Sequence, residues 1–123
     1  MRYMFLMYNR ELPDGGSPEL GEKIRREHAA TMKEATDKKI LLAVEGLHPS
    51  STATTVRMNG EKPVTLDGPF AETKEQLAGF YILECADLNE AIEWAKRMPT
   101  GCKGEPGGVE IRPVADLPRV PST

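Results

Sequence analysis

The sequence predicts an α+β protein with one mainly antiparallel sheet and two helices on one face of that sheet. Three observations lead to this fold class. Strand-like apolar segments stand near both ends and in the middle of the chain. Two segments with helical spacing of apolar residues separate them, and this order fits a split βαβ arrangement. The 123 residues are enough for one domain with its own core.

The first half of the chain supplies a strand, a helix and a second strand. Residues 2–8 are rich in aromatic and long apolar side chains, which favours a buried strand. Ser17 is expected to cap a helix that begins at Pro18 and ends near residue 39. The inner face of this helix should carry Leu20, Ile24, His28, Met32 and Ala35. The apolar run 40–44 predicts a second strand in the centre of the sheet.

The middle of the chain predicts a hairpin followed by a charged segment. Residues 52–58 alternate with β-branched side chains, and Asn59-Gly60 predicts a tight turn into a fourth strand at 62–66. Residues 71–76 are mostly polar or charged, which predicts a solvated helical turn. The next strand is expected at 80–85.

The last part of the chain predicts a second helix and a final strand. Asp87 and Glu90 have the spacing of a capping box, and the helix should run through Met98. Its inward stripe should include Leu88, with Trp94 half-buried at the edge. A strand is expected at 109–114. We therefore expect a domain over residues 1–114 and a loose tail over 115–123.

Composition and charge exclude several classes of function. The 16 basic and 19 acidic side chains give a net charge of -3, so neither a nucleic acid nor an anionic membrane is an expected partner. No apolar run approaches the roughly 18 residues of a membrane span, and the apolar N-terminal segment is too short for a signal peptide. We therefore expect a cytoplasmic protein.

The cysteine and histidine spacing predicts no metal site and no cofactor. Cys85 and Cys102 do not form a CxxC pair, and no cluster of histidines and cysteines has metal-ligand spacing. In a cytoplasmic protein both thiols should be reduced.

The segment Asp67-Gly68-Pro69-Phe70 predicts a sharp, stiff corner. Pro69 fixes its own φ and restricts Gly68, which can adopt conformations closed to other residues. An aspartate at a turn ordinarily accepts a hydrogen bond from the N–H two residues later, but Pro69 has none. The Asp67 carboxylate should therefore either cap the turn at Phe70 or Ala71, with the Phe70 ring in the core, or face a cleft.

Two interpretations of His28 are open. A histidine on the apolar face of a helix can be a core residue with a satisfied hydrogen bond. Alternatively its imidazole can reach a pocket between helix and sheet, where burial would lower its pKa and keep it neutral. His48 stands before Pro49 in a predicted loop, so we expect it to be exposed to solvent.

The predicted sheet leaves one face without helices. Its strands are too apolar for a face in contact with water, and a second copy of the chain is the simplest cover. We therefore predict a homodimer in which the two sheets face each other.

The segment LDGPFAETKEQLAGF at residues 66–80 resembles the signature of the DGPF-motif family of YCII-related domain proteins. Further segments resemble the family in the same order, at 46–47, 53–57, 91–95 and 109–114. The resemblance implies a ferredoxin-like chain that dimerises into an α+β barrel. Such proteins also occur beside extracytoplasmic-function sigma factors, which implies a regulatory setting.

The resemblance also implies candidate site residues. YCII-related proteins are proposed to bring a histidine of the first helix and the aspartate of an Asp-Pro pair into one cleft. His28 corresponds to that histidine, but the Asp-Pro position is Met98-Pro99 here. We therefore take Asp67 as the second candidate catalytic residue.

The function predicted from these residues is the binding of a small molecule in a dimer cleft, with acid–base chemistry by His28 and Asp67. Arg57 and Arg112 would bind an anionic group, although both could equally be surface charges. Pro69 and Phe70 would line the site, and they complete the set of candidate ligand-binding residues. The alternative is a non-catalytic module that binds a regulatory protein, such as a sigma factor.

Overall fold

A computed structural model describes residues 1–12, 16–100 and 106–118. The order of elements along the chain agrees with the prediction. The elements are β1 (Arg2–Arg10), α1 (Pro18–Asp37), β2 (Leu41–Gly46), a 3₁₀ turn (Ser50–Thr52), β3 (Thr54–Asn59), β4 (Lys62–Asp67), β5 (Glu75–Glu84), α2 (Leu88–Arg97) and β6 (Gly107–Pro113).

The main sheet has four antiparallel strands in the order β2-β5-β1-β6, so β2 is an edge strand and its predicted central position is wrong. The central position of β1 places Phe5 opposite Tyr81 on one side and Ile111 on the other. Strands β3 and β4 form a separate two-stranded sheet. Without that inserted hairpin, the β-α-β-β-α-β order and the strand arrangement agree with a ferredoxin-like fold.

Both helices pack on the same face of the main sheet, as predicted. Alternate residues of β1 point to this face, so Tyr3, Phe5 and Met7 are buried. The same core cluster contains Ala35 from α1 and Trp94 from α2. The intervening β1 residues point to the opposite face, which neither helix covers and which we call the open sheet face.

The predicted helix caps are confirmed. The Ser17 hydroxyl accepts a hydrogen bond from the Leu20 N–H at 3.1 Å. The Asp87 carboxylate accepts one from the Glu90 N–H at 2.9 Å, and the Glu90 carboxylate accepts one from the Ala86 N–H at 3.1 Å. These contacts satisfy backbone donors that have no partner inside the helix, so they fix where each helix begins.

The hairpin turn and the sharp corner are also confirmed. Asn59 pairs with Lys62, and Gly60 between them has a φ of 68°. At the corner Gly68 has a φ of 104°, and the following bond to Pro69 is trans. Only glycine adopts such a φ without strain, so the corner depends on Gly68.

The helical turn predicted for residues 71–76 is wrong, because β5 already begins at Glu75. The extra length of this strand pairs with the long β1, with Glu75 opposite Arg10 and Gln76 opposite Asn9. The pairing of β5 with β2 ends at Gly79, so this end of β5 is an edge where polar side chains reach solvent.

The orientation of α2 differs from the predicted stripe. Trp94 is buried at 4% exposure, whereas Leu88 in the first turn is 50% exposed. The small side chain of Ala91 is also buried and leaves room for the indole ring. The guanidinium of Arg97 lies 4.4 Å from the centre of the Trp94 ring, and the Lys38 ammonium lies 5.4 Å from it.

Some predictions fall outside the described residues, among them those for Cys102 and for the end of the tail from residue 119. Before that point, the Val114 N–H donates to the Arg2 carbonyl at 2.9 Å, and Arg2 forms an ion pair with Asp116. Cys85 is a free, buried thiol. Over the described ranges, neither helix has the length and apolar composition needed to cross a bilayer.

Candidate functional site

His28 and Tyr81 form a hydrogen-bonded pair between α1 and the main sheet. The Nδ1 atom of His28 lies 2.7 Å from the hydroxyl oxygen of Tyr81. The two rings stack with centroids 5.9 Å apart and an angle of 28° between their planes. Tyr81 is fully buried on β5, whereas His28 is half-buried. His28 therefore has the satisfied hydrogen bond that the first interpretation expects, and its half-buried imidazole lies in the seam between helix and sheet, as the second expects.

Burial shifts the proton equilibria of both members of the pair. It lowers the pKa of His28 below its ordinary value, although the nearby Glu27 carboxylate acts in the opposite direction. Burial also raises the pKa of Tyr81 to about 12. At neutral pH the pair is therefore a neutral imidazole beside a protonated phenol. The phenol can donate to a bare Nδ1 or accept from an Nδ1–H, so it holds the ring in either case.

The pair faces a cavity of about 300 Å³, which we call the His28 cavity. Its walls come from α1 and from the ends of β1, β2 and β5. The lining residues are Met7, Asn9, His28, Met32, Val44, Glu45, Gly46, Ala78 and Tyr81.

Glycine at position 79 allows β2 and β5 to close the wall of this cavity. A Cβ atom on Gly79 would lie 2.6 Å from the carbonyl oxygen of Glu45 and 3.2 Å from the Cα of Gly46. The register of β1 against β5 also shifts between Met7 and Tyr8, so Ala78 is the extra residue of a bulge. This backbone irregularity lies beside the cavity.

Asp67 does not line the His28 cavity of its own chain. It is the last residue of β4, pairs with Thr54 and is exposed. Within the described residues no hydrogen bond reaches its carboxylate, so it does not cap the turn as one interpretation expected. The two predicted catalytic residues therefore occupy different places in one chain.

The corner after Asp67 is held by contacts with β3 and with Ala53, the residue before β3. The Gly68 N–H donates to the Ala53 carbonyl, and the Thr55 hydroxyl donates to the Gly68 carbonyl, each at 2.8 Å. Arg57 donates to the Phe70 carbonyl at 2.9 Å, and its guanidinium lies 4.2 Å from the centre of the Phe70 ring. The ring is 70% exposed, so Phe70 does not fill the core.

Pro69 and Phe70 line a groove of about 730 Å³, which we call the corner groove. The opposite wall is the segment after β2, and Tyr8 and Leu77 contribute from the sheet. The lining residues are Tyr8, Leu47, His48, Pro49, Ser50, Thr52, Ala53, Thr54, Thr55, Pro69, Phe70, Ala71, Thr73, Gln76 and Leu77. Arg57 is absent from this lining, so it holds the Phe70 ring from outside the groove.

The two predicted arginines differ in their surroundings. Arg57 belongs to the corner, as described above. Arg112 forms an ion pair with Glu110 at 2.8 Å, which also raises the pKa of Arg112. The Tyr8 hydroxyl donates to the same Glu110 carboxylate at 3.4 Å. Arg112 lies opposite Met4, on the open sheet face, and lines neither the His28 cavity nor the corner groove.

Sequence reasoning missed Tyr81 and gave His48 no role beyond exposure. Tyr81 lies in a segment with the pattern of a strand. Nothing in a single sequence indicates that it forms a hydrogen bond with a histidine on a distant helix. His48 is exposed, as predicted, but it also lines the corner groove. Across the described ranges no three histidine, cysteine, aspartate or glutamate side chains converge as metal ligands.

Comparison with known proteins agrees with the motif. Residues 1–118 match the sequence profile of the YCII-related domain. The chain is also similar to an uncharacterized protein of Rhizobium meliloti (strain 1021), with 37% identity over 116 residues. That alignment covers 94% of this chain and 93% of the relative. With a domain match over nearly its whole length and a full-length relative, the chain belongs to the family of YCII-related domain proteins.

Proposed function

We propose that this protein binds a small molecule in the His28 cavity and that His28 exchanges a proton with it. The observation that supports this most strongly is the 2.7 Å contact between Nδ1 of His28 and the Tyr81 hydroxyl. Because Tyr81 occupies one ring nitrogen, Nε2 is the atom left for a bound molecule. Tyr81 takes the place of Asp67 as the residue that orients the imidazole.

The lowered pKa of His28 suits it to act as a general base. A base must be unprotonated at the working pH, and burial keeps this imidazole neutral. In the neutral ring Nδ1 carries the proton and donates a hydrogen bond to the Tyr81 oxygen, so the bare Nε2 takes a proton from the bound molecule and the ring becomes an imidazolium. Returning the proton to a second position gives an isomerisation, which consumes no other reactant. A carbon beside a carbonyl group is the kind of proton donor this step needs.

The size of the cavity limits the class of molecule. Ligand pockets commonly have volumes of about 300–1,000 Å³, and the His28 cavity is at the lower end of that range. Its lining combines apolar side chains with the polar groups of Asn9 and Glu45. A metabolite of a few carbon atoms with one carbonyl group fits these properties.

We further propose that the protein is a homodimer in which the open sheet faces meet. The register places Met4 beside Ile82 and Leu6 beside Phe80 on that face, and each is only half-buried in one chain. Apolar side chains on an uncovered face favour association with a second copy. Two ferredoxin-like sheets joined in this way form the α+β barrel that the family resemblance implies.

The test is a ligand screen by NMR with matched histidine variants. Amide spectra of the full chain would be recorded with small neutral ketones and hydroxyketones, because the described lining of the cavity holds the Glu45 carboxylate and no lysine or arginine, and any compound bound would be followed for exchange of its carbon-bound hydrogen with deuterium. We expect binding and exchange in the wild type, loss of exchange in His28→Ala and normal exchange in His48→Ala. Exchange that survives in His28→Ala would contradict the proposal.

Failure of the whole panel to bind would also count against a small-molecule role. That outcome would favour the regulatory or protein-interaction module as the function. A stable complex with an extracytoplasmic-function sigma factor, unaffected by His28→Ala, would then identify it.

A further inference from the structure

We propose that the corner groove is a second binding site, which takes a flat aromatic group against the ring of Phe70. This inference does not depend on the chemistry proposed for His28. Phe70 is the most exposed of the phenylalanine, tyrosine and tryptophan side chains in the structure's described part, at 70% exposure, and one face of its ring contacts the Arg57 guanidinium. Leu47 in the same groove is also exposed, and apolar surface shared by several exposed side chains is typical of sites that bind another apolar group.

Arg57 contacts both the backbone and the ring of Phe70. Arg57 donates a hydrogen bond to the Phe70 carbonyl at 2.9 Å, and its guanidinium lies 4.2 Å from the ring centre. Arg57 does not line the corner groove, whereas Phe70 does. The guanidinium therefore supports the ring from outside the groove. Fixing the ring before a ligand arrives reduces the entropy cost of binding.

The backbone beneath the ring is also fixed. Gly68 has a φ of 104°, and Pro69 has restricted rotation. The Gly68 N–H and carbonyl are both bonded, to Ala53 and Thr55, at 2.8 Å. The corner therefore presents Pro69 and Phe70 as one rigid wall.

The other surfaces of the groove suit a planar apolar group with a polar edge. Leu47, His48 and Pro49 form the facing wall, and Tyr8 contributes an aromatic ring from the sheet. Proline and aromatic side chains present flat surfaces, on which planar groups stack. The Thr54 hydroxyl and the His48 imidazole can supply hydrogen bonds for a polar substituent, whereas the other lining threonine hydroxyls already donate to backbone carbonyls. A volume of about 730 Å³ accommodates two fused aromatic rings with substituents.

The test uses anilinonaphthalene sulfonate, a fluorescent aromatic dye, with the full-length protein. We expect saturable binding with one dye per chain and amide shifts in NMR spectra at Leu47, Thr55 and Ala71. Phe70→Ala should weaken binding about tenfold, because it removes the stacking surface. Arg57→Gln should also weaken binding, and Arg57→Lys should recover part of it if the positive charge supports the ring. Circular dichroism would verify that each variant is folded.

Two matched controls separate this site from other apolar surfaces. Met58→Ala removes an exposed apolar side chain of the same hairpin that does not line the groove, and it should leave the affinity unchanged. His28→Ala should also leave it unchanged, so failure of the proposed catalytic site is distinguishable from failure of this one. Equal affinity in Phe70→Ala and wild type would overturn the proposal, as would amide shifts confined to Met4 and Leu6 on the open sheet face.

Discussion

The Nδ1 atom of His28 on α1 lies 2.7 Å from the hydroxyl oxygen of Tyr81, a residue on β5 that is buried beneath the helices. The contact joins a helix to the sheet through two side chains that can each donate or accept a proton. The orientation of the His28 side chain therefore depends on how α1 packs against the sheet. The pair therefore has consequences for stability as well as for chemistry.

A double-mutant cycle should detect coupling between these two residues. Tyr81→Phe keeps the ring in place but leaves Nδ1 of His28 without its partner, at a cost of about 1 kcal/mol in the free energy of unfolding. In a His28→Ala background the same change should cost less, giving a coupling energy of roughly 0.5–1.5 kcal/mol. Urea unfolding at one protein concentration measures all four proteins. Additive effects would show that the contact contributes nothing to stability.

Acidification should destabilise the protein through His28. The folded pKa of His28 is lowered from 6.5, so the unfolded chain binds its proton at a higher pH than the folded chain does. The free energy of unfolding should therefore be highest above 6.5 and should fall as the pH drops from 6.5 through the folded pKa. His28→Gln should reduce this slope, whereas His48→Gln should leave it in place. Unfolding measured across this pH range tests the sign, and a slope unchanged in His28→Gln would contradict it.

Replacing Gly68 should strain the corner. At a φ of 104° an alanine is disfavoured, although its Cβ would meet no atom within 4 Å. We expect Gly68→Ala to lower the free energy of unfolding by about 1–3 kcal/mol. The control is Gly21→Ala within α1, where alanine should increase stability by up to about 1 kcal/mol. Thermal unfolding of both variants compares them. Equal stability of Gly68→Ala and wild type would mean that the corner relaxes without cost.

Replacing Gly79 with alanine should also destabilise the protein, here for a steric reason. The new Cβ would lie 2.6 Å from the Glu45 carbonyl oxygen, so β2 would have to move away from β5. We expect a loss of about 1–3 kcal/mol in the free energy of unfolding, together with faster amide exchange in β2. Gly108→Ala is the matched strand control, because its Cβ would meet nothing within 4 Å. Similar exchange rates in β2 for both variants would rule out the steric explanation.

A charge on the open sheet face should prevent dimer formation. Ile82→Glu would place a carboxylate between the two sheets, where desolvating it without a partner costs several kcal/mol. Sedimentation velocity should show a dimer for the wild type and a folded monomer for Ile82→Glu. Leu88→Glu, at an exposed position of α2, should remain dimeric. A wild-type monomer at all concentrations would contradict the proposed assembly.

Local signals in the sequence predicted most of the fold. The caps at Ser17 and Asp87 and the turn at Gly60 each depend on residues only a few positions apart, and all three are confirmed. The error at residues 71–76 has a different origin. Their charged composition suits a solvated helix, but pairing with the far end of β1 makes Glu75 and Gln76 part of a strand, and no local pattern encodes that partner.

The site was less predictable, because it depends on contacts between distant segments. His28 was identified from its place on a helical stripe, but its partner lies 53 positions along the chain on another element. Asp67 was chosen because the Asp-Pro position of the family is Met98-Pro99 here and because Pro69 removes the usual hydrogen bond of Asp67. That reasoning correctly predicted the corner but could not give the direction of the carboxylate. The support of Phe70 by Arg57 likewise depends on how the corner folds against β3.

The central position of β1 has a consequence for how the protein is made. Phe5 is synthesised well before its two neighbours in the sheet, Tyr81 and Ile111, which stand much later in the chain. Until then both edges of an apolar segment remain without hydrogen-bonding partners, a state that promotes aggregation. The nascent chain therefore completes its sheet only after β6 has emerged from the exit tunnel. Chaperone demand should consequently concentrate on the segment Tyr3 to Tyr8 during translation.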